Sequence, residues 1–178
     1  MKRTILLPIA TIALSAVILA GTSRALSGMA VENGRKEHLH IMQTLLPGST
    51  NFTVEPYTGD DANIVSVHKG ENGFVIETVT NGYVDEIRML VGVSNDGKVT
   101  GLVVRESHET FGLGAQALTD TDFLAQFLNT SGEAEVGSTV DALSGATVTS
   151  KAMTRAVNSA VAYVTGADAS SGATSWGG

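Results

Sequence analysis

The segment from Asp141 to Ser150 concentrates small and hydroxyl-bearing residues in one short stretch, Asp-Ala-Leu-Ser-Gly-Ala-Thr-Val-Thr-Ser. A helical pattern begins directly behind it. Such a turn gathers backbone N–H groups and the positive end of a helix dipole at one point, which suits a phosphate group. The residues alone leave two interpretations open. One is a phosphate site that includes the Thr147 hydroxyl, and the other is a small-residue turn in which Thr149 or Ser150 caps the helix.

The same stretch resembles the flavinylation motif of the FMN-binding domain family. That family includes the G subunit of the Rnf electron transport complex and the C subunit of the sodium-translocating NADH:quinone reductase. The residues that match the motif are Ser144, Gly145, Ala146 and Thr147, with Asp141 six positions ahead of the threonine. In the family, a separate flavin transferase joins FMN to the last threonine through a phosphoester bond. The resemblance therefore implies covalent FMN on Thr147, with FMN contacts from Ser144, Gly145, Ala146 and Thr149.

A second segment, Ser107 to Gly114, has the sequence Ser-His-Glu-Thr-Phe-Gly-Leu-Gly. Two glycines two apart allow close approach to a ligand but also suit a plain turn, and the third glycine of a dinucleotide-binding fingerprint is missing. The segment resembles the His-x-Glu-Thr-Pro-Gly-Leu-Gly loop that lines the flavin in the Rnf G subunits, with Phe111 in place of the proline. The resemblance implies flavin contacts from His108, Glu109, Thr110, Gly112, Leu113 and Gly114.

Two basic residues and the C-terminal tail are weaker candidates. Lys151 and Arg155 either balance a phosphate charge or are solvated helix positions. The Gly-, Ser- and Ala-rich tail, residues 167–178, is predicted to be disordered and repeats the motif from Asp168 to Thr174. No helix follows this repeat, so we interpret it as chance rather than a second flavin site.

Composition excludes several classes of chemistry. The chain has no cysteine, so it has no disulfide, thiolate metal site or iron–sulfur cluster of its own. A net charge of -7 makes nucleic acid an unlikely partner. The four histidines lack metal-ligand spacing, and no metal site is predicted. No acid–base pair or nucleophilic triad is recognisable, so no catalytic residue is predicted and an electron carrier is favoured over an enzyme that acts alone.

The N-terminus is predicted to be a membrane anchor. Lys2 and Arg3 precede an almost purely apolar run from Ile5 to Ala20, which is at the short end for a membrane span. A cleaved signal peptide is the alternative, but no clear Ala-x-Ala site follows. We therefore expect a single-pass helix within residues 1–24, with the N-terminus in the cytoplasm and the following domain on the outer side of the cell (inner) membrane.

Residues 25–166 are predicted to form one α+β domain, an antiparallel β-meander packed with helices. A helical pattern from Ser27 to Leu46 ends at Pro47-Gly48, and strand-like alternation follows. The predicted strands are Ile64–His68, Phe74–Val79, Ile87–Val93 and Val99–Val104, with Asn95-Asp96-Gly97-Lys98 as the clearest hairpin turn.

Two helices are expected after the sheet. Thr121–Leu128 is predicted to be short and amphipathic, with Asp120 or Thr121 as its cap and with phenylalanines that serve the core. The second follows the motif, where apolar residues recur at spacings of three and four up to Gly166: Met153, Ala156, Val157, Ala160, Val161 and Val164.

The family resemblance implies a membrane-anchored electron-transfer subunit of an ion-translocating ferredoxin:NAD oxidoreductase (Rnf) complex. Its implied partners are the other membrane subunits and the flavin transferase that attaches FMN. Three alternatives stay open. They are a free-standing flavinylated carrier outside the cytoplasm, the C subunit of a sodium-translocating NADH:quinone reductase, and an unmodified binding or assembly module.

Overall fold

The computed structural model describes residues 32–107 and 114–167, together with Ser15, Ile18, Leu19 and Thr22. The chain divides into two compact units, Met1–His40 and Ile41–Gly178. The predicted anchor over residues 1–24 lies almost wholly outside the described residues, and the tail beyond Ala167 also lies outside them. Among the residues that are described, no helix is both long and apolar enough to cross a membrane.

Helix α1 covers residues 32–45, which agrees with the predicted helix over its described part. In the first unit, the Glu32 carboxylate pairs with Arg35 at 3.0 Å and with Lys36 at 3.6 Å on the exposed side of the helix. In the second unit, Met42, Leu45 and Leu46 are buried.

A five-stranded antiparallel sheet forms the centre of the second unit, and its strands follow one another in chain order. The strands are β1 (Thr53–Glu55), β2 (Ile64–Lys69), β3 (Gly73–Asn81), β4 (Glu86–Ser94) and β5 (Val99–Ser107). The α+β class, the meander and the four predicted strands are therefore confirmed. Strand β1 was not predicted, because three residues are too short to show an alternating pattern.

Both faces of the sheet are covered within the second unit. Ile76, Met89 and Val91 belong to one face and are buried with the apolar side of the last helix. On the opposite face Gly92 and Gly101 pair across β4 and β5, and a Cβ on Gly92 would lie 2.2 Å from the Leu45 carbonyl oxygen. Glycine at this pair of positions lets the end of α1 lie directly on the sheet.

Two short helices follow the sheet, α2 (Gly114–Ala117) and α3 (Thr121–Ala125). The predicted cap of α3 is confirmed, since the Asp120 carboxylate accepts a hydrogen bond of 2.8 Å from the Phe123 N–H. The helix ends earlier than expected and continues as turns through Asn129. Phe123 and Phe127 are buried edge to face with their centroids 5.4 Å apart, so their predicted core role is confirmed.

The last helix, α4, covers Thr147–Thr165 and packs on β3 and β4. The predicted apolar stripe is confirmed, and its alanines allow the helix to lie close to the sheet: Ala152, Ala156 and Ala160 are all fully buried. Gly166 ends the helix with φ of 71°, the left-handed conformation that glycine adopts without strain.

Candidate functional site

The N-terminus of α4 is set by a turn rather than by a capping side chain. The Ala146 N–H donates to the Leu143 carbonyl at 2.9 Å, and Gly145 between them has φ of 80°. Ala146 is the N-cap, and it has no polar side chain with which to cap the helix. The expectation that Thr149 or Ser150 caps the helix is therefore wrong. Both are fully buried inside it, and the Ser150 hydroxyl donates back to the Ala146 carbonyl at 2.9 Å.

Thr147 is the first residue of α4, and its side chain is exposed. The helix has no acidic residue in its first turn. An exposed hydroxyl thus stands at the positive end of a helix that has no capping side chain. The positive end of a helix dipole beside a hydroxyl suits a phosphate monoester or diester.

A cleft of about 260 Å³ opens beside Thr147. Its lining comes from the start of α4, the preceding turn, the start of α2 and the β3–β4 hairpin: Tyr83, Gly114, Gly145, Ala146, Thr147, Val148 and Thr149. Two of these positions are glycines, which have no side chain to stand between a ligand and the backbone. The lining is both polar and apolar.

The cleft brings together residues from the two segments singled out in the sequence. Gly145, Ala146, Thr147 and Thr149 line it from the motif, and Gly114 lines it from the second segment. Ser144 is exposed in the same turn but is not part of the lining. His108, Glu109, Thr110, Gly112 and Leu113 lie outside the described residues, so the structure assigns them no position.

Side-chain hydrogen bonds join the hairpin that carries Tyr83 to α4. The Thr80 hydroxyl donates to the Ala152 carbonyl at 3.1 Å in a buried setting, and the Arg155 guanidinium donates to the Asn81 carbonyl at 3.1 Å. These bonds hold the β3–β4 connection beside the start of the helix. The partner of the Arg155 side chain is therefore the end of β3 and not the first turn of α4. Lys151 is exposed and lies in the second turn of α4.

Two cleft residues were not predicted as site residues. Tyr83 is 64% exposed and Val148 is 48% exposed, and both line the cleft. Two sequence signals could have pointed to Tyr83: an aromatic residue stands in a hairpin turn, and the stretch from Gly82-Tyr83 to Gly101 resembles the hairpin of the FMN-binding domain family. Within the described part of the chain, no group of three or more histidine, aspartate or glutamate residues could hold a metal ion.

Comparison with known protein families identifies what the part of the chain that forms the cleft is similar to. A family model described as the FMN-binding domain matches residues 82–162, which run from the turn after β3 through β4, β5 and the cleft to most of α4. The matched range contains every described residue of the cleft.

Individual proteins with similar sequences indicate a narrower family than the domain model does. The G subunit of the ion-translocating oxidoreductase complex of Methanosarcina acetivorans is 36% identical over 145 residues, covering 72% of this chain and 76% of that protein. The G subunit of the Na(+)-translocating ferredoxin:NAD(+) oxidoreductase complex of Acetobacterium woodii is 29% identical over 84% of each chain. The proton-translocating counterpart of Clostridium ljungdahlii is 38% identical over 52% of this chain and 53% of that protein. The chain belongs to the family of G subunits of ion-translocating (Rnf) oxidoreductase complexes.

Proposed function

We propose that this protein is the FMN-carrying electron-transfer subunit of an ion-translocating ferredoxin:NAD oxidoreductase complex, with FMN joined to the Thr147 hydroxyl through its phosphate. The family and its FMN-binding domain support the redox role. The observation that carries the attachment site is the exposed Thr147 side chain at the first position of α4, behind a cap without a polar side chain.

Several features of the described residues suit this site to FMN. The positive N-terminal end of α4 stabilises the phosphate charge, and no acidic side chain in the first turn opposes it. Gly114 and Gly145 line the cleft without side chains, and Tyr83 supplies an aromatic surface. Bound FMN supplies the redox chemistry, and the protein supplies orientation and electrostatics.

In this proposal residues 1–24 anchor the domain on the outer face of the membrane, beside the other membrane subunits of the complex. A covalent tether suits that location. Outside the membrane a dissociated FMN would be diluted, whereas a tethered FMN stays at high effective concentration whatever its affinity. Lys151 and the second segment, His108 to Gly114, complete the proposed surroundings of the flavin.

The test is intact-protein mass analysis after expression of the full chain with a flavin transferase. We expect a yellow protein heavier than the unmodified chain by FMN minus water, with the added mass on the peptide that contains Thr147. Thr147→Ala should lose both the added mass and the colour. Thr174→Ala, which removes the threonine of the repeated pattern in the tail, is the matched control and should keep both. Full flavinylation of Thr147→Ala would contradict the proposed attachment site.

A further inference from the structure

Two carboxamide side chains bind the backbone of the loop that leads into the Thr147 turn, one at each end of residues 134–141. The Asn158 side chain donates to the Ala134 carbonyl at 2.8 Å and accepts from the Ala134 N–H at 3.3 Å. The Gln126 side chain accepts from the Asp141 N–H at 2.8 Å and donates to the Asp141 carbonyl at 3.4 Å. Each amide thus contacts both polar backbone groups of one residue.

A carboxamide suits this task because it offers one acceptor and one donor group side by side, as a neighbouring strand does. Both amides stand on anchored segments. Asn158 is only 4% exposed and belongs to α4. Gln126 lies between the buried Phe123 and Phe127, and the turn after it is joined to β5 through the Val99 N–H, which donates to the Thr130 carbonyl at 3.0 Å.

The loop between these two amides is also ordered internally. The Gly137 N–H donates to the Val140 carbonyl at 2.8 Å, and the Thr139 hydroxyl accepts from the Glu135 N–H at 2.7 Å. Asp141, held by Gln126, is the last residue of this ordered loop and stands six positions before Thr147. The path of the chain into the attachment turn is therefore fixed at Asp141.

We propose that Gln126 is a positioning residue for flavin attachment: its amide holds Asp141 so that the Thr147 hydroxyl is presented to the flavin transferase. The inference rests on the proposed function, since it concerns the same threonine. It adds a residue outside the motif, from a different part of the chain, to the determinants of attachment.

In the transfer step with FAD as donor, a bond forms between Thr147 Oγ and the FMN phosphorus. The bond from that phosphorus to the AMP oxygen breaks, AMP leaves, and the hydroxyl proton passes to solvent. Gln126 takes no part in these bonds. It instead raises the fraction of protein molecules in which the turn already has the conformation that the transferase binds. When that fraction is smaller, the apparent affinity of the transferase for this protein is lower. Its removal should therefore raise the KM for this protein as substrate and leave kcat nearly unchanged.

The experiment uses the full chain purified without flavin, a flavin transferase and FAD, with flavin incorporation followed by in-gel fluorescence and mass. Q126M removes both hydrogen bonds at similar side-chain volume, and Q126E keeps an acceptor for the shorter one. Q43M is the matched control, because the Gln43 amide donates to the Thr50 carbonyl at 3.2 Å in a different loop. We expect Q126M to raise KM about three- to tenfold, Q126E to raise it less, and Q43M to match the wild type.

An unchanged KM in Q126M, or an equal rise in Q43M, overturns the inference. A loss confined to kcat also overturns it. Circular dichroism checks the fold of each variant. If Q126M does not fold, the test is made with Q126E, and a wild-type KM in Q126E then overturns the inference. A wild-type chain that accepts no flavin overturns the proposed function and this inference together, whereas wild-type transfer with an unaffected Q126M overturns the inference alone.

Discussion

The Thr80 hydroxyl donates a buried hydrogen bond of 3.1 Å to the carbonyl oxygen of Ala152, and this contact joins the end of β3 to the second turn of α4. Thr78, two residues earlier on the same face, is also buried, but its hydroxyl has no hydrogen-bond partner among the described residues. The two threonines form a matched pair in which one hydroxyl is bonded and the other is not.

The first prediction uses this pair. Thr80→Val should lower the free energy of unfolding by about 1 kcal/mol, because it removes a buried hydrogen bond at nearly constant volume. Thr78→Val should leave stability unchanged or raise it, because burying an unbonded hydroxyl is unfavourable. Urea unfolding followed by circular dichroism measures both. A greater loss in Thr78→Val than in Thr80→Val would contradict the assignment of these two hydroxyls.

The second prediction concerns Tyr83, which lines the cleft beside Thr147. A phenol in contact with a flavin quenches its fluorescence by donating an electron to the excited ring. In the flavinylated protein, Tyr83→Phe should therefore increase flavin fluorescence, while the amount of attached flavin measured by absorbance stays the same. The quantum yield relative to free FMN is the measurement.

Tyr163→Phe is the control for this experiment. Tyr163 lies near the opposite end of α4, where its hydroxyl donates to Glu55 at 3.2 Å and its ring packs edge to face against Phe74. Loss of that hydroxyl should leave flavin fluorescence unchanged. Equal fluorescence in wild type and Tyr83→Phe would show that the ring does not lie against Tyr83.

The third prediction concerns Glu71, in the turn between β2 and β3. Its own backbone N–H, and then the polar groups of Asn51 and Thr50, stabilise the carboxylate and lower its pKa from 4.5 to about 2. The Thr50 N–H and the Thr50 hydroxyl each donate a hydrogen bond of 3.0 Å to the Glu71 carboxylate. A lowered folded-state pKa contributes stability that is complete above pH 4.5 and is lost as the pH falls toward 2.

Melting temperatures measured from neutral pH down to about pH 2 test the prediction. Glu71→Gln should be less stable than wild type at pH 6 to 7 and should converge with it in acid, because protonation has then weakened the same contacts in the wild-type chain. Glu133→Gln, at an exposed glutamate elsewhere on the surface, is the control and should keep the wild-type pH profile. A constant difference between Glu71→Gln and wild type at every pH would rule out this role of the carboxylate.

The sheet could be predicted from the sequence because its signals are local. Asn95-Asp96-Gly97-Lys98 supplies turn residues between two alternating runs, and β4 and β5 pair antiparallel on either side of that turn, as predicted. Strand β1 could not be predicted in this way, because it is short and is followed by Pro56. Its pairing depends on β2, which lies beyond the range of a local pattern.

The start of α4 shows where residue preference fails. Thr149 and Ser150 are better capping residues than Ala146, yet the helix begins at Thr147. The turn from Leu143 through Gly145 determines the entry, and burial of both hydroxyl residues inside the helix takes precedence over capping. The approach of Tyr83 to Thr147 and the hydrogen bonds between Gln126 and Asp141 join distant parts of the chain, so no local pattern could have predicted them.

Because every strand pairs only with its neighbours in sequence, the sheet can form from local hairpins as the chain grows. The contact between Thr80 and Ala152 spans 72 residues and closes only after α4 has been synthesised. The start of α4, and the turn that leads into it, are therefore fixed to the sheet only once the helix has been made. A modifying enzyme that requires this turn would discriminate finished molecules from nascent ones, and flavin loading would then serve as a check on folding.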